Sequence, residues 1–166
     1  MSRALFTEPL TAAAFAPFGD VLEASGAPDK IINQGKCGRF HDLARLEFAA
    51  GGGRAGISLF EAEPRRLPYR LDLLERHPEG SQAFLPMSHA PFLVIAAPDD
   101  GGIPGRPRAF LTAPGQGINF HRGTWHGVLT PLAAPGLFAV VDRIGPGANL
   151  EEHTLAEPWV VRPAEG

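Results

Sequence analysis

The chain has 166 residues, 44% of them hydrophobic, and its 15 Lys and Arg against 18 Asp and Glu leave a formal net charge of −3. That length suits one domain with one sizeable core, so residues 1–166 are read as a single domain. No basic block is present to neutralise a phosphate backbone, which argues against nucleic acid as a partner, and no apolar run approaches the roughly 20 residues that span a bilayer, which argues against a membrane.

Twenty glycines and seventeen prolines interrupt the chain at short intervals, a pattern that favours many short strands joined by turns. In chain order, Thr11 caps a short Ala-rich helix, and strands are predicted over 20–23, 40–48, 55–60, 69–74, 81–85, 92–97, 108–111, 118–121 and 137–142. Within them Tyr69-Arg70-Leu71-Asp72-Leu73 alternates apolar and polar residues, the mark of a strand with one buried face. Residues 92–97 are apolar throughout and are expected to be covered on both faces, in a barrel centre or against a second subunit. Turns fall at Gly51-Gly52-Gly53, Asp99-Asp100-Gly101-Gly102 and Ala134-Pro135-Gly136. The tail 145–166 carries acidic residues and prolines and is predicted to lie over the surface, although Trp159-Val160-Val161 needs something to pack on. The lone cysteine, Cys37, allows no intrachain disulfide, which fits a reducing compartment and predicts a cytoplasmic protein.

Two polar clusters stand at strand ends: one runs from Glu75 through His77 to Gln82, the other from Gly117 through His121 to His126. A small barrel whose hairpin ends aim polar side chains into one mouth resembles the cupin architecture, a mainly β jelly-roll β-barrel with a few short helices. Metal-binding cupins offer His-x-His and a Glu four to five positions on, then a His after a Pro-x-Gly turn. Here the first motif reads Glu75-x-His77 and then Gln82, and the second reads Gly115-x-Gly117 and then His121. Two good nitrogen ligands remain, too few for a tight metal site, so no metal ligands are assigned. The residues point instead to acid–base work by His and Glu, with metal left open.

The segments "FHDLARLE" (40–47), "ERHPEGSQAFLPM" (75–87), "GQGINFHRGTWH" (115–126) and "VVDR" (140–143), with "FAPFGDVLE" near the start, are together similar to the ureidoglycolate lyase family of the cupin superfamily. They keep the family's order over residues 6–151. The resemblance implies an enzyme that splits (S)-ureidoglycolate into glyoxylate and urea, a late step of allantoin breakdown for nitrogen, and that works as a homodimer. It implies no obligatory cofactor, with stimulation by a divalent metal such as nickel.

Ureidoglycolate is a hemiaminal, so its cleavage needs a base for the hydroxyl proton and an acid for the departing nitrogen. His121, His126, His77 and Glu75 are the candidates. Arg39, Arg76 or Arg143 would pair with the substrate carboxylate. Asn33 or Gln82 would bond the ureido group, His41 would contact substrate or form a structural pair with Asp42 that orients its imidazole, and Trp125 would be a wall of the pocket and a core residue at once. Asp142 and Arg143 read first as an ion pair holding the mouth together, and second as substrate contacts. Two other readings are carried: a metal-dependent cupin oxygenase or isomerase holding iron or manganese on Glu75, His77, Gln82 and His121, and a non-catalytic cupin that binds a small acid. The apolar stretches 92–97 and 159–161 add to the expectation of a twofold dimer.

Overall fold

In a computed structural model that describes residues 3–165, the chain folds into two large sheets and two short two-stranded ribbons, with almost no helix. The first strand, β1 (Arg3–Pro9), leads to α1 (Ala12–Phe15), where the Thr11 hydroxyl accepts the Ala14 N–H at 3.1 Å as the sequence predicts. There follow β2 (Gly19–Leu22), β3 (Lys30–Ile32), β4 (Cys37–Arg39), β5 (Arg54–Glu61), β6 (Tyr69–Arg76), β7 (Gln82–Pro86) and β8 (Phe92–Ala97). The later strands are β9 (Asp99–Asp100), β10 (Ile103–Pro104), β11 (Arg108–Leu111), β12 (Gly117–Phe120), β13 (Trp125–His126), β14 (Thr130–Pro131), β15 (Leu137–Ile144) and β16 (Glu151–Arg162).

The larger sheet runs β11-β1-β16-β6-β13-β8, and β8 pairs back onto β11, so the sheet closes on itself. Closure removes the bare edges that an open sheet of this size would expose. The second sheet, β2-β12-β7-β15-β5, packs over it. Between the sheets lies an aromatic core of Phe15, Phe18, Phe84, Phe92, Phe110, Phe120 and Phe138, with Val94, Ile118 and Val140 among them. Each such side chain contributes roughly 1.5–3 kcal/mol by leaving water.

A second core fills the closed sheet and includes Leu5, Leu71, Leu74, Leu93, Ile95, Trp125, Trp159 and Val161. β8 is therefore covered on both faces, as its sequence predicts, but by two cores of the same chain. Phe92, Val94 and Ala96 point into one; Leu93, Ile95 and Ala97 point into the other.

The acidic tail is not a surface strap. Twelve of its residues form β16 between β1 and β6, broken by an irregularity between Thr154 and Trp159, and Trp159 and Val161 are buried. The apolar surface first assigned to a dimer contact is thus consumed within one chain. Residues 40–48 form no strand. They are pinned by Arg45 N–H to Asp20 (2.9 Å), Glu47 N–H to Ser81 Oγ (2.8 Å) and Ser81 N–H to Glu47 C=O (3.0 Å). No helix among the described residues is long and apolar enough to cross a membrane.

Candidate active site

Three elements bring the site together at one end of the aromatic core. β6 ends with Glu75 and Arg76, a turn through His77–Gly80 follows, and β7 opens at Gln82. On the short strand β13, His126 is the direct cross-strand partner of Glu75 on one side and of Ala96 on the other. Strand alternation then sends the neighbouring Trp125 to the opposite face. Gln82 pairs in register with Phe120 and Asp142, and its amide donates to the Asp142 carboxylate at 3.1 Å.

The two imidazoles are held in defined tautomers. His77 Nδ1 lies 2.8 Å from the Asn149 carbonyl, and His126 Nδ1 lies 2.9 Å from the Gly127 carbonyl. A carbonyl only accepts, so in each ring Nδ1 carries the hydrogen and Nε2 presents a lone pair. Both Nε2 atoms are buried without a partner, as is Gln82 Oε1. The His126 ring lies flat on Phe120, centroids 4.3 Å apart and planes 9° apart, and 5.1 Å from the His77 ring.

Burial drives the His126 pKa from 6.5 down to about 3; the Gly127 hydrogen bond opposes this and the charge of His77 adds to it. A base that weak does not take a proton from an alcohol at neutral pH. Glu75 moves the other way: burial raises its pKa, the neighbouring His77 offsets part of the rise, and Glu152 adds to it. Glu75 is therefore a better proton acceptor than His126.

One ligand atom from each of Glu75, His77 and His126 falls within 4.8 Å of the others. Two imidazole lone pairs and a carboxylate, with each ring's far nitrogen tied to a carbonyl, form a donor set that suits a divalent transition metal. A cavity in the barrel, lined by Phe84, Phe120, Gly127 and Leu129 among others, holds about 10 Å³, the space of one water.

The profile of the family described as "Ureidoglycolate lyase" matches residues 2–162. A protein named ureidoglycolate lyase from Rhodobacter capsulatus is 65% identical over 157 residues, covering 95% of this chain and 97% of its own. One of that name from Chelativorans sp. is 52% identical over 159 residues, 96% of each chain, and "Ureidoglycolate lyase 2" from Rhizobium meliloti is 52% identical over 153 residues, 92% of this chain and 94% of its own. The chain belongs to the ureidoglycolate lyase family.

Among the residues that the sequence pointed to in this family member, the structure gathers Glu75, His77, Gln82, His126 and Asp142. His121 is held elsewhere. It follows β12, whose Phe120 faces the core, and its Nε2 bonds Asp20 at 3.0 Å beside an open hollow lined by Ala12, Ala16, Val21 and Leu43. Burial acts to raise the Asp20 pKa, but hydrogen bonds from Asn119 and the Arg45 backbone, with the charge of His121, hold it below the ordinary value. The structure thus sets His126 beside Glu75 and His77, and His121 beside Asp20.

None of the three arginines proposed as carboxylate anchors reaches the cluster. Arg76 bonds Glu151 at 2.7 Å and Asp99 at 2.8 Å and lies over the Trp125 ring at 4.4 Å. Trp125 is the core residue that the sequence predicts, but it lies in the second core, on the strand face opposite His126, and donates its indole N–H to Asp99 at 2.9 Å. Arg143, with its side chain 1% exposed, is used up by the carbonyls of Ala50, Gly51 and Pro146 and by Glu79. It makes no ion pair with Asp142, because neighbours on a strand face opposite ways. Arg39 and Asn33 belong to the exposed hairpin β3–β4, Asn33 in its turn with φ 53°, and His41 just beyond is anchored through its backbone N–H to Asp29. Sequence reasoning missed Asn149, whose signal is only its place before an acidic strand.

Proposed function

We propose that this chain eliminates urea from ureidoglycolate, leaving glyoxylate, and that the reaction takes place at Glu75, His77 and His126. The observation that carries the reading is the convergence of two pinned, buried imidazole lone pairs and a carboxylate of raised pKa, in a chain of this family. Glu75 accepts the hydroxyl proton of the substrate as the C–N bond breaks and the aldehyde C=O forms. The same proton then passes from Glu75 to the departing urea nitrogen, so one carboxyl serves as base and acid. Gln82, steadied by Asp142, offers its Oε1 to an N–H of the ureido group.

The donor set fits the nickel-type cation expected from the family resemblance. Held by Glu75, His77 and His126, such a cation would neutralise the substrate carboxylate, for which no proposed arginine is at hand, and would ease loss of the hydroxyl proton. The binding of Glu75 to a cation and its proton transfer are compatible when one carboxylate oxygen serves each.

We further propose a twofold dimer through the outer face of the second sheet. Ile57 and Leu59 on β5 are 77% and 64% exposed and stand in register with Val141 and Ala139, beside Leu85, Leu43 and Leu46. A water-facing sheet surface ordinarily alternates to polar residues, and this one does not. Arg54 and Glu61 cap opposite ends of β5, so a twofold axis through the strand brings unlike charges together. The free thiol of Cys37 suits the cytoplasm as its compartment.

The test is freshly prepared ureidoglycolate with urea and glyoxylate measured together, before and after chelation and nickel addition. Equal release of both products is expected, slowed by the chelator. Ammonia and carbon dioxide in place of urea would mean hydrolysis and overturn the lyase reading; oxygen uptake would favour a metal-dependent oxygenase.

A further inference from the structure

A residue outside the reacting cluster is bonded to the His77 ring. Asn149 lies in the loop between β15 and β16 and grips the turn after β6 at two points. Its main-chain carbonyl takes the His77 Nδ1 hydrogen at 2.8 Å, and its side-chain Oδ1 takes the Glu79 N–H at 2.8 Å.

The loop is itself anchored by a buried cation. Arg143 Nη2 reaches the Pro146 carbonyl at 3.2 Å and Glu79 at 3.1 Å, while its Nε reaches the Ala50 carbonyl at 2.7 Å. The guanidinium fits because glycine flanks it. A Cβ on Gly145 would stand 2.8 Å from Arg143 Cζ, and one on Gly53 would collide with Arg143 Nε. Arg143 thus ties residues 50–51, Glu79 and residue 146 into one rim, and Asn149 links that rim to a single imidazole.

We propose that Asn149 is a positioning residue of the lyase, backed by Arg143: it holds His77 as the Nδ1–H tautomer so that Nε2 presents its lone pair to Glu75 and His126. Neither residue touches substrate. Were the rim loose, His77 would turn or exchange tautomers, place a hydrogen on Nε2, and lose its capacity to bind a cation or accept a bond there. The inference rests on the reading of the cluster as the reacting site, but the tautomer itself is observable without any turnover.

Long-range ¹⁵N–¹H correlation spectra of the full-length protein, with His77 assigned by its loss in His77→Gln, report which ring nitrogen carries hydrogen. The parent is expected to show Nδ1–H alone. Asn149→Ala keeps the backbone carbonyl but frees the loop from Glu79; it should give a mixture of tautomers and a fall in kcat of about tenfold or more, with KM little changed. Asn149→Asp retains the acceptor for the Glu79 N–H and should restore both readouts. Arg143→Lys, should it fold, should resemble Asn149→Ala. An Asn149→Ala protein with His77 still wholly Nδ1–H overturns the proposal, as does a mixture of tautomers in the parent. A tautomer shift with unchanged kcat keeps the positioning role and removes His77 from the reacting site.

Discussion

His126 and Phe120 lie face to face, 4.3 Å between centroids and 9° between planes, so a core aromatic forms the floor on which a polar ring of the site rests. Phe120 also packs against Phe15 and Phe84. Phe120→Leu keeps most of the volume and removes the stack. Denaturant unfolding should show a loss of about 1–3 kcal/mol, and initial rates should fall because the His126 ring can swing. A variant of parental rate would mean that the backbone bond to Gly127 holds the ring unaided.

Substitution separates the two histidines of the second motif. His126→Gln should lower turnover about 100-fold or more and abolish any response to nickel. His121→Ala should leave the rate near the parent's and cost about 1 kcal/mol through its partly exposed contact with Asp20. Rates measured with and without nickel decide it; a large loss in His121→Ala alone would move the site to the hollow beside Asp20.

Acid should weaken the chelator-treated protein through His126. Its folded pKa of about 3 lies below the 6.5 of a free imidazole, so between those values the unfolded chain holds a proton that the folded chain does not. This contribution is whole above about pH 6.5 and is lost on acidification at about 1.4 kcal/mol per pH unit. Glu75, raised by burial, runs in the opposite sense. Urea midpoints of the parent and His126→Gln at pH 7.5 and pH 5 isolate the histidine, and the parent should lose about 2 kcal/mol more than the variant.

Charge on the bare face of β5 should split the proposed dimer. Ile57→Glu combined with Leu59→Glu alters two exposed positions and should sediment as a folded monomer, while the parent sediments as a dimer at micromolar concentration. A parent that is monomeric there would leave this apolar face for another partner.

Much of the barrel could be read from local pattern. The Thr11 cap, the alternation in β6 and the unbroken apolar run of β8 each state their burial within a few residues. β16 could not be read this way, since its irregularity between Thr154 and Trp159 breaks the period and its outward glutamates mimic a solvated tail. The site suffered from the same locality. Glu75, His77 and Gln82 flank or lie in one turn, so their nearness in sequence groups them. The choice between His121 and His126 depends on the pairing of β13 with β6, a contact across some fifty residues that spacing does not encode. The arginines misled because a guanidinium suits a structural carbonyl cage as well as it suits a ligand carboxylate.

β8, buried on both sides, has a further consequence for how this chain tolerates change. A strand with one wet face is kept in register by polarity, since a slip would drive charge into the interior. β8 has no such guard, and its side chains must be sorted by volume. On one face they shrink from Phe92 through Val94 to Ala96, on the other the equal-sized Leu93 and Ile95 give way to Ala97, and the small ends lie opposite His126 and Trp125. Two methyl groups thus set aside the space for an imidazole on one side and an indole on the other. Homologues that drift at residue 96 or 97 toward valine should therefore carry a compensating reduction across the strand, or lose the seat of His126 while the fold survives.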